Sequence, residues 1–376
     1  MEDADGVDTP AGLAGASWPA PSDGLCAVCE CLSCDCADSV TATDEVAAAA
    51  AAQGAGSAME KRKGKSWSHS RKSKAKKNND KMHERNRYRE RPPNFAKLAA
   101  SRPALRAHLV GGGRRPTLNW KAPGASIELT KALLEEDFGL RWSMPEDRLC
   151  PTIPQKLNYL HWIEDLLALG GTQQSAFERG VDTESRDWVR GVDIGTGASC
   201  IYPLLGAAMH PNWTFDALEL DPRSLACARD NVHANADLLL SSTNGPPGDG
   251  IEHSAAGTRV VAHQAAAGYD GRDEGGVLVG PWMDGLPARE WDFCMCNPPF
   301  FSSMDEAASK PSTACRGQEV EMVCPGGEVA FVGRIIYDSL QLRERFRWYH
   351  TPLILENSEG NRFKIPILFF ARICMK

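Results

Sequence analysis

Residues 292–300 read Asp-Phe-Cys-Met-Cys-Asn-Pro-Pro-Phe, an apolar run that ends in a polar amide, two prolines and an aromatic ring. Proline lacks the N–H that a central ladder needs, so a strand here must stop at Asn297. In an open α/β sheet, ligands bind beyond the carboxyl ends of the strands. Asn297 offers an acceptor and a donor in one plane on a short stem. Pro298 and Pro299 make the following backbone rigid, and Phe300 supplies a ring for stacking. These four residues are the candidate catalytic set, suited to a planar ring that carries an amino group. An ordinary proline turn closing a strand would use the same residues, so the motif needs support from elsewhere in the chain.

Support comes from two earlier stretches. Trp188 to Ile194 reads as a strand containing Asp193, and it runs into Gly195-Thr196-Gly197-Ala198-Ser199. Strand, glycine turn and helix form the first unit of a Rossmann-like sheet. The pattern Asp-x-Gly-x-Gly is not the dinucleotide fingerprint, but Gly195 and Gly197 still let a ligand come close to the backbone. The next strand, Phe215 to Asp221, carries Glu219 toward its carboxyl end, at a spacing where a carboxylate can accept hydrogen bonds from two ribose hydroxyls. Together with Asn-Pro-Pro-Phe, these features point to an α/β, Rossmann-like class I methyltransferase that uses S-adenosyl-L-methionine.

The rest of the chain must position those strand ends. Its 376 residues are enough for one large or two medium domains, and the net charge of -7 hides strong segregation. Residues 1–80 form an acidic and then basic tail, expected to be disordered. Cys26, Cys29, Cys31, Cys34 and Cys36 make two C-x-x-C pairs with no second pair at zinc-finger distance, so they read as incidental thiols and no metal is expected. Lys and Arg clusters at 61–77 suit a nuclear-import signal or a nucleic-acid arm, giving a nuclear location with the cytoplasm as a second compartment. No secretory leader is expected and no apolar run approaches membrane-spanning length.

Residues 81–171 form a mostly helical module. Arg85, Arg87 and Arg89 alternate with Tyr88 before Pro92-Pro93, while Arg115 and Lys121 flank Thr117-Leu118-Asn119-Trp120. Guanidinium forks with an interleaved aromatic suit phosphates and bases, so these five residues are the candidate RNA contacts. Helices are expected over 125–140, ending near Gly139, and from Pro154 to Leu169. Residues 172–187 read as a linker and 188–349 as the methyltransferase domain. Within it, 241–257 and 265–290 are surface insertions around a short strand at 258–264, and 302–325 is a long loop beside the site. A helix opens at Gly326-Gly327, and Arg345 to Tyr349 begins a further strand.

These blocks resemble the methyltransferase-like protein 16 family of U6 small nuclear RNA adenine-N6 methyltransferases, which is similar in turn to bacterial large-subunit ribosomal RNA adenine-N6 methyltransferases. The resemblance runs from His83 to Tyr349. It rests on Arg85 to Tyr88, Pro92-Pro93, Glu136 to Leu140, Leu157 to Tyr159, His161-Trp162, Asp193 to Leu205 and Asp292 to Phe301. It implies methyl transfer to adenosine N6 in structured RNA such as U6, with an RNA-gripping N-terminal module. It implies cofactor contacts at Gly195, Glu219 and Asn297, and catalysis by Asn297 to Phe300. Lys156 stands where the family carries a cofactor-contacting Arg, keeping the charge but losing the fork. Residues 350–376 depart from the pattern, being too few for a helix and two strands, so an incomplete C-terminal sheet is expected. Two other readings share the motif: protein N5-glutamine or DNA adenine methylation, and an RNA-binding member with an impaired catalytic domain. The oligomeric state is not legible.

Overall fold

The computed structural model describes residues 82–111, 116–169, 188–240, 258–265, 277–284, 290–309, 317–356 and 362–370. The tail with its cysteine pairs, the linker at 172–187, the insertion at 241–257 and most of that at 265–290 lie outside the described residues, as does Arg115.

The N-terminal module is built from α1 (Arg87–Glu90), α2 (Phe95–Ser101), α3 (Pro103–Arg106), an antiparallel ribbon of β1 (Leu109–Val110) and β2 (Thr117–Leu118), then α4 (Ala125–Phe138) and α5 (Ile153–Leu169). α4 stops at Gly139 as its sequence suggests. α5 begins one residue before Pro154, and its Leu157, Leu160 and Ile163 are fully buried along one face.

The sheet follows: β3 (Val189–Ile194), α6 (Ile201–Met209), β4 (Trp213–Glu219), α7 (Pro222–Ala234), α8 (Ala236–Leu239), β5 (Val260–Gln264), β6 (Trp291–Cys296), α9 (Met304–Ser309), α10 (Glu319–Met322), α11 (Gly327–Leu342), β7 (Phe346–Glu356) and β8 (Arg362–Phe370). The strand order is β5-β4-β3-β6-β7-β8, with β8 antiparallel and the other five parallel. A parallel sheet is covered on both faces, so its central strands are mostly buried along their length. The two-residue alternation divides β6 accordingly: Phe293 and Met295 join the core shared with α4, α5 and α6, whereas Cys294 and Cys296 join the core under α11. Gly191 lets these layers close. A Cβ there would lie 2.4 Å from the Phe293 ring and 3.0 Å from that of Phe215.

Two regions differ from expectation. The strand expected to lose its pattern after Tyr349 continues to Glu356, and β8 pairs back along it from Glu356↔Arg362 to Trp348↔Phe370. The C-terminal segment thus adds one antiparallel strand to the sheet, in place of the helix and two strands for which it is too short. The expected loop at 302–325 contains α9 and α10, and Phe301 bridges to Val323 with Phe301 N donating to Met322 O at 2.9 Å.

Candidate active site

β3 sits centrally, with β4 on one side and β6 on the other, so the chain leaves its carboxyl end toward a crevice between them. The registers align Ile194 with Leu218 on β4 and with Cys296 on β6. Gly195, Glu219 and Asn297 each follow one of these aligned residues, so three strands deliver them to one edge.

At the β3 end, Gly195 and Gly197 adopt φ of 69° and 66°, the left-handed region that an L side chain rarely occupies. No atom lies within 4 Å of where a Gly195 Cβ would point, so the backbone is open to a ligand there. Glu219 is buried. Its Oε2 accepts the Gly197 N–H at 2.7 Å and its Oε1 the Asp221 N–H at 2.8 Å. A carboxylate offers about four lone-pair sites, so Glu219 keeps acceptor capacity for an incoming hydroxyl beside its backbone N–H partners. Burial raises the Glu219 pKa above the ordinary carboxylate value, and the backbone N–H groups oppose that shift.

Asp193 lies beneath the glycine turn. Burial pushes its carboxyl up to about 7, with Thr196 and the Lys156 charge pulling the other way and Glu219 reinforcing the rise. Asp193 Oδ2 and Thr196 Oγ1 are both buried, and no well-aligned hydrogen bond completes either atom, the Thr196 hydroxyl reaching the carboxyl only loosely. Under-satisfied polar atoms of this kind cost free energy unless a ligand or water completes them. Lys156 projects from α5 with Nζ 5.2 Å from the centroid of the Tyr202 ring. The donor set is thus a paired-glycine backbone, a carboxylate with acceptor capacity to spare, an acid and hydroxyl without well-aligned partners, and a cation. It fits a nucleoside bearing a zwitterionic amino-acid tail, which is the chemistry of S-adenosylmethionine.

At the β6 end, Asn297, Pro299 and Phe300 are half-buried and Pro298 is buried. Phe300 meets Phe301 edge to face, with centroids 6.4 Å apart, and both pack with Met322 and Leu149. The strap at 147–149 holds this platform to the β4 end. Leu149 N donates to both oxygens of Glu321, at 3.2 and 3.3 Å, while Arg148 pairs with Asp221 at 2.7 Å and Arg223 with Asp147 at 2.8 Å. Sequence reasoning passed over this strap because its partners lie far along the chain.

The arginine arm is used differently from its composition. Arg85 pairs with Glu164 and Asp165 on α5 and donates to His161 O. Arg87 pairs with Asp137, and the Tyr88 hydroxyl donates to the same carboxylate at 2.6 Å. Asn86, buried, donates to Pro154 O at 2.6 Å and to Asn158 Oδ1 at 2.7 Å. Arg85 and Arg87 therefore dock the arm onto α5 and α4. Arg89 is half-buried, and Lys121 is exposed beside Trp120, itself exposed.

The matching family model, described as RNA methyltransferase, spans residues 76–242 and 282–361. The chain belongs to this family of RNA methyltransferases. It is 39% identical over 280 residues to the RNA N(6)-adenosine-methyltransferase METTL16 of Homo sapiens, covering 71% of this chain and 42% of that protein. It is 36% identical over 294 residues to the U6 small nuclear RNA (adenine-(43)-N(6))-methyltransferase of Dictyostelium discoideum, covering 73% and 48%. The chain thus spans about half the length of the curated relatives it matches. Among solved structures, the hMettl16 catalytic domain in complex with MAT2A 3′UTR hairpin 1 matches with a TM-score of 0.55 at 37% identity, covering 74% of this chain and 83% of that chain. The N-terminal domain of human METTL16 in complex with SAH matches at 0.50 and 36%, covering 74% and 85%.

Proposed function

We propose that this chain methylates the N6 amine of an adenosine in structured RNA, with S-adenosylmethionine as donor and U6 small nuclear RNA as the candidate substrate. One observation carries the reading: Asn297-Pro298-Pro299-Phe300 leaves β6 at the same sheet edge where Gly195 and Glu219 leave β3 and β4. The relatives' names give adenosine and U6 as the substrate class for those proteins.

In this reading Glu219 accepts the ribose hydroxyls, and the Gly195 and Gly197 backbone lines the tail. Asp193 and Thr196 receive the ammonium, and Lys156 the carboxylate. The donor supplies an electrophilic methyl group on its sulfonium. The adenine amine is a poor nucleophile because its lone pair is delocalised into the ring. Asn297 Oδ1 and the Pro298 carbonyl each accept one N–H, which favours the pyramidal, nucleophilic form. Phe300 stacks on the base, contributing about 1–3 kcal/mol by analogy with single-strand stacking. Holding two reactants in attack geometry can supply roughly 7–11 kcal/mol of a barrier, so positioning is the main contribution. Lys121 and Arg89 contact RNA phosphates, with Arg85 and Arg87 setting the arm that presents them. A nuclear location follows from such a substrate.

The test is incubation with radiolabelled donor and a structured RNA containing one bulged adenosine, beside an Asn297→Ala control. Label on adenosine N6 that disappears in the control is expected. No label, with RNA still bound by folded protein, overturns the catalytic reading and leaves an RNA-binding family member.

A further inference from the structure

Asn297 can hold an amine only if the backbone before it is fixed, and Cys296 is the last β6 residue in register with β3, opposite Ile194. On the β7 side the pairing runs only through Cys294↔Tyr349, and the amide of fully buried Cys296 donates to the hydroxyl of Tyr159, at 3.3 Å. Tyr159 comes from α5, one turn beyond Lys156. Its hydroxyl oxygen lies 2.7 Å from His350 Nδ1 and 3.5 Å from His350 O. The Cys296 Sγ lies 2.9 Å from Thr351 Oγ1, on the residue after His350.

The proton positions follow from valence. Cys296 N can only donate, so the Tyr159 oxygen accepts there and its own proton is free for a second partner. The shorter contact, to Nδ1, is the stronger one. With the Tyr159 proton assigned to that contact, His350 Nδ1 is the acceptor and its ring proton sits on Nε2; the tautomer with Nδ1–H donating to Tyr159 and Tyr159 donating to His350 O is the alternative that the His350 variants below distinguish. Tyr159, His350, Cys296 and Thr351 are all buried, at 7%, 2%, 0% and 0% exposure. Hydrogen bonds in such a low-dielectric setting are stronger than in water and hold one geometry.

We propose that Tyr159 and His350 are positioning residues for methyl transfer: together they clamp the Cys296 amide and so set the direction in which Asn297 and the Pro298 carbonyl face the target amine. This rests on the methyltransferase reading above. The clamp also joins the two binding functions, because α5 carries Lys156 toward the donor site and Tyr159 toward the acceptor site.

Tyr159→Phe removes the hydroxyl and keeps the ring, which meets Tyr202 edge to face at 5.3 Å. The expected result is kcat lower by about tenfold or more, with RNA KM and donor Kd within about twofold, since misplacement of reacting groups by an ångström costs up to about a hundredfold. His350→Asn keeps an acceptor near the Nδ1 position and is expected to retain kcat within about threefold, while His350→Leu behaves as Tyr159→Phe. Hydrogen exchange at the Cys296 amide, about tenfold faster in Tyr159→Phe and in His350→Leu but not in His350→Asn, reads the clamp without any turnover. Wild-type kcat and wild-type exchange in Tyr159→Phe would overturn the proposal, as would equal loss in both His350 variants. If the unsubstituted chain transfers no methyl group, the methyltransferase reading fails, and a Cys296 clamp seen by exchange would have no catalytic role.

Discussion

With Asp193 in the proposed ammonium site, donor binding is expected to depend on pH. In the free protein its carboxyl, pushed up to about 7 by burial, is half protonated at neutrality. A bound ligand that places an ammonium beside the buried Oδ2 must draw the group into its ionised form, so binding releases a proton below that value. The ionised fraction rises from about 3% at pH 5.5 to about 76% at pH 7.5 for a pKa near 7, and affinity rises with it by about 25-fold, or about 1.9 kcal/mol. Stability runs the opposite way to affinity. A carboxyl whose folded pKa is raised favours the fold below its unfolded value, near 3.8, and that contribution is lost as pH rises through about 7. Titration calorimetry across this range, in two buffers of different ionisation enthalpy, counts the released proton directly. Asp193→Asn removes the titration, so its donor affinity should be weak and nearly flat with pH. An equal pH slope in Asp193→Asn would refute the assignment, and so would a wild-type slope of zero.

Three further outcomes follow from the packing. Gly191→Ala forces a methyl group to within 2.4 Å of the Phe293 ring, so it should lower unfolding free energy by about 1–3 kcal/mol in a urea titration, with the site residues unchanged. Asn86→Ala removes the buried donor to the Pro154 carbonyl and one of the two donors to Asn158 Oδ1, which keeps the His83 N–H, and should cost about 1–3 kcal/mol by the same assay. For RNA binding, Lys121→Ala should reduce the salt slope of the association constant by about one, whereas Arg85→Gln should leave that slope unchanged and shift stability by no more than about 1 kcal/mol, because Arg85 is paired with Glu164 and Asp165.

The strand ends were legible because their signals are local. Prolines at 298 and 299 stop a strand wherever it sits, and Gly195 and Gly197 announce a turn without reference to the rest of the chain. β8 was not legible from the expectation of a helix plus two strands, although 353–355 and 363–370 are two apolar runs around a polar, glycine-containing stretch, which is the pattern of a hairpin. The ion pairs of the arginine arm were not legible for the opposite reason. The acids that receive Arg85 and Arg87 lie 50 to 80 positions away, and no short window of sequence contains both partners.

That separation shows what α5 is for. Asn158, His161, Glu164 and Asp165 receive the arm, while Lys156 and Tyr159 face the sheet edge. Both sets recur at three- and four-residue spacing, so they occupy two sides of one helix. Pro154 sits in the first turn and its carbonyl is taken by Asn86, so the arm fixes the end of the helix nearest Lys156. On the proposed function, an arm residue is therefore expected to change methyl transfer without touching RNA or donor, by altering where α5 rests against β6. Separating that effect from direct RNA contact requires the salt slope and the turnover number measured on the same variant, since lost docking lowers turnover alone and a lost phosphate contact lowers the slope.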